Sequence, residues 1–276
     1  MRLSTLILSA TLATTPFLRA APLADQTTEE VQDAITSELK GLDPNIPIKS
    51  IEKSGWGGVF RVTLEGGSVI YSNETGKLLL RGDMLEINNG QIVNLTEELR
   101  NKAVADQLKS LKKEDQIVFS PKEEVKGVVY AFTDADCGYC RKLHQEVPGL
   151  NNMGIEVRYL AFPRGGKQSP AYAKMVDAWC SPERMQALSE LKNGKEITHK
   201  ASKEDKEQTR CEVLVEEQFE QGLKLGVSGT PALFLESGKA IPGYRPAAEL
   251  ARIMGITPPP APETAPDTKA DSAPKS

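Results

Sequence analysis

Histidine is nearly missing from this chain, with His144 and His199 its only two among 276 residues, and cysteine is scarce, with four. A structural zinc centre takes four Cys or His ligands, usually as two closely spaced pairs. Cys137 and Cys140 make one such pair, but Cys180 and Cys211 stand far apart and make no second. His144 falls one helical turn beyond Cys140 and reads as a solvent-facing histidine. No metal and no cofactor are expected. A charge excess is also missing: 34 Lys and Arg against 38 Asp and Glu leave a net charge of -4. Such a balance builds no field for a polyanion, so no nucleic-acid partner is expected. Beyond the N-terminus no apolar run approaches the ~20 residues of a membrane-spanning helix.

What is present begins at the N-terminus. Met1-Arg2 precedes the apolar segment Leu3 to Ala13, followed by Pro16 and the small residues Ala20 and Ala21. That is the layout of a secretory signal peptide, expected over residues 1–20 with cleavage between Ala20 and Ala24. An even number of cysteines suits export, because disulfides persist in oxidising compartments. Four cysteines allow three pairings, and sequence alone does not choose among them. The simplest joins Cys137 to Cys140 and Cys180 to Cys211, with two separate buried thiols at 180 and 211 as the alternative. A bridge between 180 and 211 would contribute at most about 3.7 kcal/mol through loop entropy.

Hydrophobic and charged contents of 39% and 26% are those of a soluble globular protein. The length exceeds the usual domain of ~100–150 residues, which implies two domains. Residues 21–95 read as a small helix-plus-sheet unit. Thr27-Thr28-Glu29-Glu30 has the spacing of a capping box, and Val31, Ile35, Leu39 and Leu42 recur at helical intervals. Short β-type runs follow at Val59–Leu64, Ser68–Tyr71 and Lys77–Leu80. A unit of this size without a cysteine buries little apolar surface, so pairing with a second copy is expected, packing on its own C-terminal domain being the alternative. Residues 96–115 read as a linker helix. From 116 to 257 the pattern alternates: a β-run at Val128–Thr133, a helix from the Cys motif, and a β-run at Val157–Phe162, making a βαβ unit. One helical stretch from Ala171 to Leu191 follows, then another from Lys203 to Leu225, β-runs at Ala232–Leu235 and Ala240-Ile241, and a helix from Ala247. Residues 258–276, rich in Ala and Pro, are expected to be a disordered tail.

The chemistry is concentrated at Cys137-Gly138-Tyr139-Cys140. A Cys-x-x-Cys that follows a β-run and opens a helix puts its first sulfur at the helix N-terminus, where unpaired N–H groups and the helix dipole favour the thiolate. Cys137 is therefore the expected nucleophile. Cys140, one turn later, is placed to attack a mixed disulfide and resolve it. No proline stiffens the intervening Gly138-Tyr139 pair. Thr230-Pro231 lies directly before the β-run Ala232–Leu235. A proline at a strand head gives up one ladder donor and can be cis, leaving nearby backbone to pair with an extended client; an ordinary loop-to-strand proline is the plainer reading.

The segments Phe132-Thr133-Asp134, Cys137-Gly138-Tyr139-Cys140-Arg141-Lys142-Leu143-His144, Val157 to Arg164, Trp179-Cys180, Gly226 to Ala232 and Pro242-Gly243-Tyr244 together resemble the DsbC/DsbG family of periplasmic protein disulfide isomerases. Gly138 in the motif favours the DsbC branch, since DsbG usually carries proline in that position. The resemblance implies an α+β architecture with an N-terminal dimerisation domain, a linker helix and a thioredoxin-fold domain with a helical insertion. It implies a periplasmic homodimer acting on misfolded disulfide-containing exported proteins, with chaperone activity, kept reduced by a membrane thiol reductase of DsbD type. Residue by residue, it makes Cys137 and Cys140 the catalytic pair, Cys180 and Cys211 the structural disulfide, and Thr230-Pro231 the cis-proline loop, with Gly138 and Tyr139 beside them at the client. Rival readings are a net thiol oxidase, a DsbG-like chaperone or sulfenic-acid reductase, and a holdase with incidental cysteines.

Two departures stand out. The Lys- and Glu-rich stretch between Lys192 and Lys206 is expected to lie clear of the motifs. Ala131 occupies the position at which thioredoxins carry a buried acid, so the proton of Cys140 must move through water or another group.

Overall fold

The computed structural model describes residues 28–199 and 206–258. The expected signal peptide, Thr27 of the capping box and residues 259–276 of the expected tail lie outside the described residues. Helix α1 (Thr28–Leu42) turns Val31, Ile35 and Leu39 onto an antiparallel sheet, where they meet Ile51, Phe60 and Val62. The sheet is a meander of β1 (Ile48–Lys53), β2 (Val59–Leu64), β3 (Val69–Asn73) and β4 (Leu79–Leu80) in chain order. Leu42, expected on the apolar face, overshoots the sheet and is 77% exposed. A separate hairpin, β5 (Leu85–Asn88) and β6 (Gln91–Asn94), turns at Asn89-Gly90, both with positive φ. Asn-Gly is the residue pair a tight hairpin turn favours, because both central residues adopt φ > 0. Neither this hairpin nor β1 was expected from the sequence.

Helix α2 (Leu95–Ser110) starts at Asn94, whose side chain accepts the Glu97 amide at 2.9 Å. It is more than a linker: Val104 and Leu108, with Leu111, pack on one face of the second sheet beside Val128, Tyr130 and Phe132.

That sheet is built from β7 (Ile117–Phe119), β8 (Gly127–Thr133), β9 (Ile155–Ala161), β10 (Ala232–Leu235) and β11 (Ala240–Pro242), in the order β11-β10-β8-β9-β7. β8 and β9 run parallel, joined through α3 (Gly138–Asn152), and the other pairings are antiparallel. Along β8 the side chains alternate, with Val129 and Ala131 on one face and Val128, Tyr130 and Phe132 on the other. The first face is covered by α3, α4 (Pro170–Cys180), α5 (Arg184–Lys192) and α7 (Ala247–Ile253). α6 (Lys206–Lys224) packs on α4 and carries Cys211 into the same core. The single helix expected from Ala171 to Leu191 is broken between α4 and α5. Pro182 disfavours helical backbone in the residue before it, and Ser181 accordingly sits at φ -60, ψ 138. The result is an α+β chain: a helix-plus-antiparallel-sheet unit, then a thioredoxin-like domain with helices on both faces of a mixed sheet.

Candidate active site

Strand β8 ends at Thr133, and Asp134 anchors the turn that follows. Its Oδ1 accepts the Asp136 amide at 2.7 Å, and its Oδ2 accepts the Arg164 amide at 2.8 Å and Nε at 3.2 Å. The turn delivers Cys137 as the N-cap of α3, in extended backbone (φ -85, ψ 117), its Sγ accepting the Cys140 amide at 3.3 Å. A sulfur thus takes the capping role that a Ser or Asp oxygen usually fills, which stabilises negative charge on it.

From the opposite side, the register of β10 on β8 pairs Ala232 with Phe132 and brings the preceding loop to the cysteines. The Thr230-Pro231 bond is cis. The Cys137 thiol donates to the Thr230 carbonyl at 3.2 Å. Thr230 Oγ1 is buried and has no other partner among the described residues, so its hydroxyl is available to a thiolate at Cys137.

These surroundings push the two thiols apart. A hydrogen bond from Cys140 is the foremost reason that Cys137 falls to about 5; burial opposes it, and Thr230, the Cys140 amide and the Arg164 charge assist. Cys140, fully buried, is driven far upward, first by burial and then by its role as donor to Cys137. One sulfur is held as nucleophile and the other holds its proton. Gly138, the first residue of α3, has open space where a side chain would stand. Tyr139 is 61% exposed and stacks on Tyr244, ring centroids 6.4 Å apart, with the Lys142 ammonium 5.3 Å from its ring centre.

Cys180, at the end of α4, and Cys211, in α6, meet in the core, where Cys211 acts on the Cys180 thiol. Burial, then this contact, raises Cys180 well above the ordinary thiol range. The disulfide expected between them is not formed here: all four cysteines are thiols. Juxtaposition is set by the fold, whereas oxidation depends on the surrounding redox poise.

Two expectations are corrected. His144 does not face solvent: it packs edge-on to Phe119, with Nδ1 3.2 Å from the Tyr159 hydroxyl and Nε2 3.0 Å from Ser189 Oγ. Burial, with the Lys192 charge, lowers it to about 4, so it is neutral at physiological pH. Lys192 does not lie clear of the motifs: it is buried beneath them, bonded to Thr133 and Asp134. Sequence reasoning missed Thr133, Asp134 and Lys192 as site residues. Among the described residues no group of three or more His, Cys, Asp or Glu could hold a metal ion, and no helix is long and apolar enough to cross a membrane.

A low-pKa cysteine capping a helix, a buried partner one turn on and a cis-proline loop across a mixed sheet are the working parts of a thioredoxin-type thiol-disulfide oxidoreductase. Residues 113–255 match the family described as a thioredoxin-like domain, and residues 21–97 the one described as the disulfide bond isomerase protein N-terminal domain. The thiol:disulfide interchange protein DsbC of Escherichia coli K12 is 36% identical over 194 residues, covering 70% of this chain and 76% of the relative. That of Salmonella typhimurium is 37% identical over the same shares, and that of Haemophilus influenzae 34% over 81% of this chain and 90% of the relative. The chain belongs to the DsbC family, and its activity is thiol-disulfide exchange of the isomerase type.

Proposed function

We propose that the protein rearranges incorrect disulfides in exported proteins of the periplasm through a mixed disulfide on Cys137, with Cys140 as the resolving thiol. The observation that carries this reading is the separation of the two thiols, Cys137 lowered to about 5 and Cys140 raised. The Cys137 thiolate attacks a client disulfide; a bond forms between Cys137 and one client sulfur, and the other client sulfur leaves as thiolate. That thiolate attacks a further client disulfide, and the final client thiolate displaces Cys137 with no net redox change. When rearrangement stalls, Cys140 attacks Cys137 Sγ, releases a reduced client and leaves a Cys137–Cys140 disulfide. A membrane reductase of DsbD type then restores the dithiol.

The client backbone lies along Thr230-Pro231, with Gly138 giving room for approach and Tyr139 offering an exposed ring. Cys180 and Cys211 form a structural disulfide in the oxidising compartment, a reading supported by their contact. A homodimer through the N-terminal unit is supported by Leu78, Leu80, Leu85, Ile87 and Ile92, each more than half exposed on β4 and the β5–β6 hairpin or beside them. Exposed apolar side chains on a short edge strand and an isolated hairpin are a surface that association buries. Two sites sharing one client raise its effective concentration and support a chaperone role.

The test is reactivation of scrambled, fully oxidised ribonuclease in a glutathione buffer by protein lacking residues 1–20, comparing wild type with Cys137→Ser and Cys140→Ser. Recovery that needs Cys137 and tolerates loss of Cys140 is expected. No recovery, together with rapid oxidation of a reduced client, would replace isomerisation by net oxidation.

A further inference from the structure

Lys192 closes α5 and is 3% exposed. Burying a lysine is unfavourable unless its charge is compensated, so its position calls for a reason. Nζ donates to Thr133 Oγ1 at 2.7 Å and to the Asp134 carbonyl at 2.8 Å. The same two residues act on the resolving sulfur: the Thr133 side chain and the Asp134 backbone both favour the Cys140 thiolate, against its burial. Thr133 Oγ1 therefore stands against Lys192 Nζ on one side and acts on the buried Cys140 on the other.

Among the described residues no other base occupies this place. Ala131 supplies no carboxylate, and that of Asp134 is engaged by Arg164 and the Asp136 amide. Both ring nitrogens of His144 are within hydrogen-bond reach of Tyr159 and Ser189. The charged and titratable groups acting on Lys192 include Cys140, Cys137 and Asp134, which favour its ammonium, and Arg141, which opposes it, while burial and then the charge of Lys192 hold the neighbouring His144 neutral. Burial outweighs them and brings Lys192 down to about 8, so roughly a tenth is free amine near pH 7.

We propose that Lys192 receives the proton of Cys140, relayed by the Thr133 hydroxyl, when Cys140 resolves the mixed disulfide. The Cys140 S–H proton passes to Thr133 Oγ1 as the hydroxyl proton passes to the Lys192 amine. The Cys140 sulfur bonds to Cys137 Sγ, the bond from Cys137 to the client breaks, and the client leaves as thiolate; Lys192 ends as ammonium. Acting through Thr133, it is a positioning residue, and the inference rests on the resolving role of Cys140.

The test follows reduced full-length protein reacting with oxidised glutathione by rapid acid quench and mass analysis, across pH. Mixed-disulfide formation at Cys137 is the first phase, and release of the second glutathione is the second. Lys192→Met is expected to leave the first phase within about two-fold and slow the second by ~100-fold near pH 7, the low end of the usual range for proton-transfer catalysis. The wild-type second phase levels off near pH 8, whereas the variant's keeps rising. Lys192→Arg, which keeps the charge and cannot release its proton, is expected not to rescue. Thr133→Val is expected to slow the second phase with the lysine in place, and it carries the test if Lys192→Met does not fold. A wild-type second phase in Lys192→Met or Thr133→Val, or rescue by arginine, overturns the proposal. Release of the second glutathione by Cys140→Ser would instead overturn the resolving role itself.

Discussion

The chain carries two cysteine pairs in one domain, and their surroundings divide them. Cys137 caps a helix, accepts an amide hydrogen bond and faces a cis-proline loop, whereas Cys180 ends a helix and is buried against Cys211. Helix polarity alone favours a thiolate in the first case and disfavours one in the second. The pKa directions agree, Cys137 down to about 5, chiefly through the hydrogen bond from Cys140, and Cys180 up, chiefly through burial. Two pairs of the same element thus serve opposite ends, one kept reactive and one kept inert. What divides them is hydrogen bonding against burial: Cys137 accepts hydrogen bonds that hold its thiolate, whereas burial and then Cys211 keep Cys180 protonated.

The sharpest way to break this contrast is to remove each pair in turn. Cys137→Ser should reduce isomerisation of a scrambled substrate to background, a loss of more than about 1000-fold, while its melting temperature stays near that of wild type. Cys180→Ala, measured under oxidising conditions, should do the reverse: isomerisation per folded molecule persists, and denaturant unfolding shows a loss of roughly 2–4 kcal/mol. A similar melt for wild type and Cys180→Ala in oxidising buffer would deny the second pair a structural disulfide.

A smaller effect tests the electrostatics. Because the folded pKa of Cys137 lies below its unfolded value, the thiolate stabilises the reduced protein fully above the unfolded thiol pKa of ~8.5, and that stability is lost as pH falls through about 5. Unfolding of reduced wild type against reduced Cys137→Ser should therefore show a difference that grows with pH from about 5 upward. The smallest expected effect is at the rim. Tyr139→Ala removes an exposed ring stacked on Tyr244 and should raise KM for a peptide disulfide a few-fold with kcat nearly unchanged, since uniform client binding alone is lost.

The active pair was legible in sequence because its signals are local: a β-run, a Cys-x-x-Cys and a following helical pattern fix which sulfur caps the helix. β10 was read at its observed limits, Ala232–Leu235, because a proline and a turn bound an unbroken apolar run. The β5–β6 hairpin was missed although Asn89-Gly90 marks its turn, because its short strands carry exposed apolar residues without an inward alternation. The break between α4 and α5 was missed because the apolar rhythm on both sides of Pro182 was read as one helix. Lys192 was illegible for a deeper reason. In sequence it opens a solvated Lys- and Glu-rich stretch, and only the packing of α5 beneath β8 makes it a buried neighbour of Thr133.

The most direct test of the central contrast is the pH dependence of alkylation of the reduced protein by iodoacetamide, with each modified cysteine identified by mass spectrometry. Cys137 alone should react rapidly, with a half-maximal rate near pH 5, while Cys140, Cys180 and Cys211 stay protected until the protein unfolds. Equal labelling of Cys180, or a Cys137 midpoint near the ~8.5 of an ordinary thiol, would contradict the account.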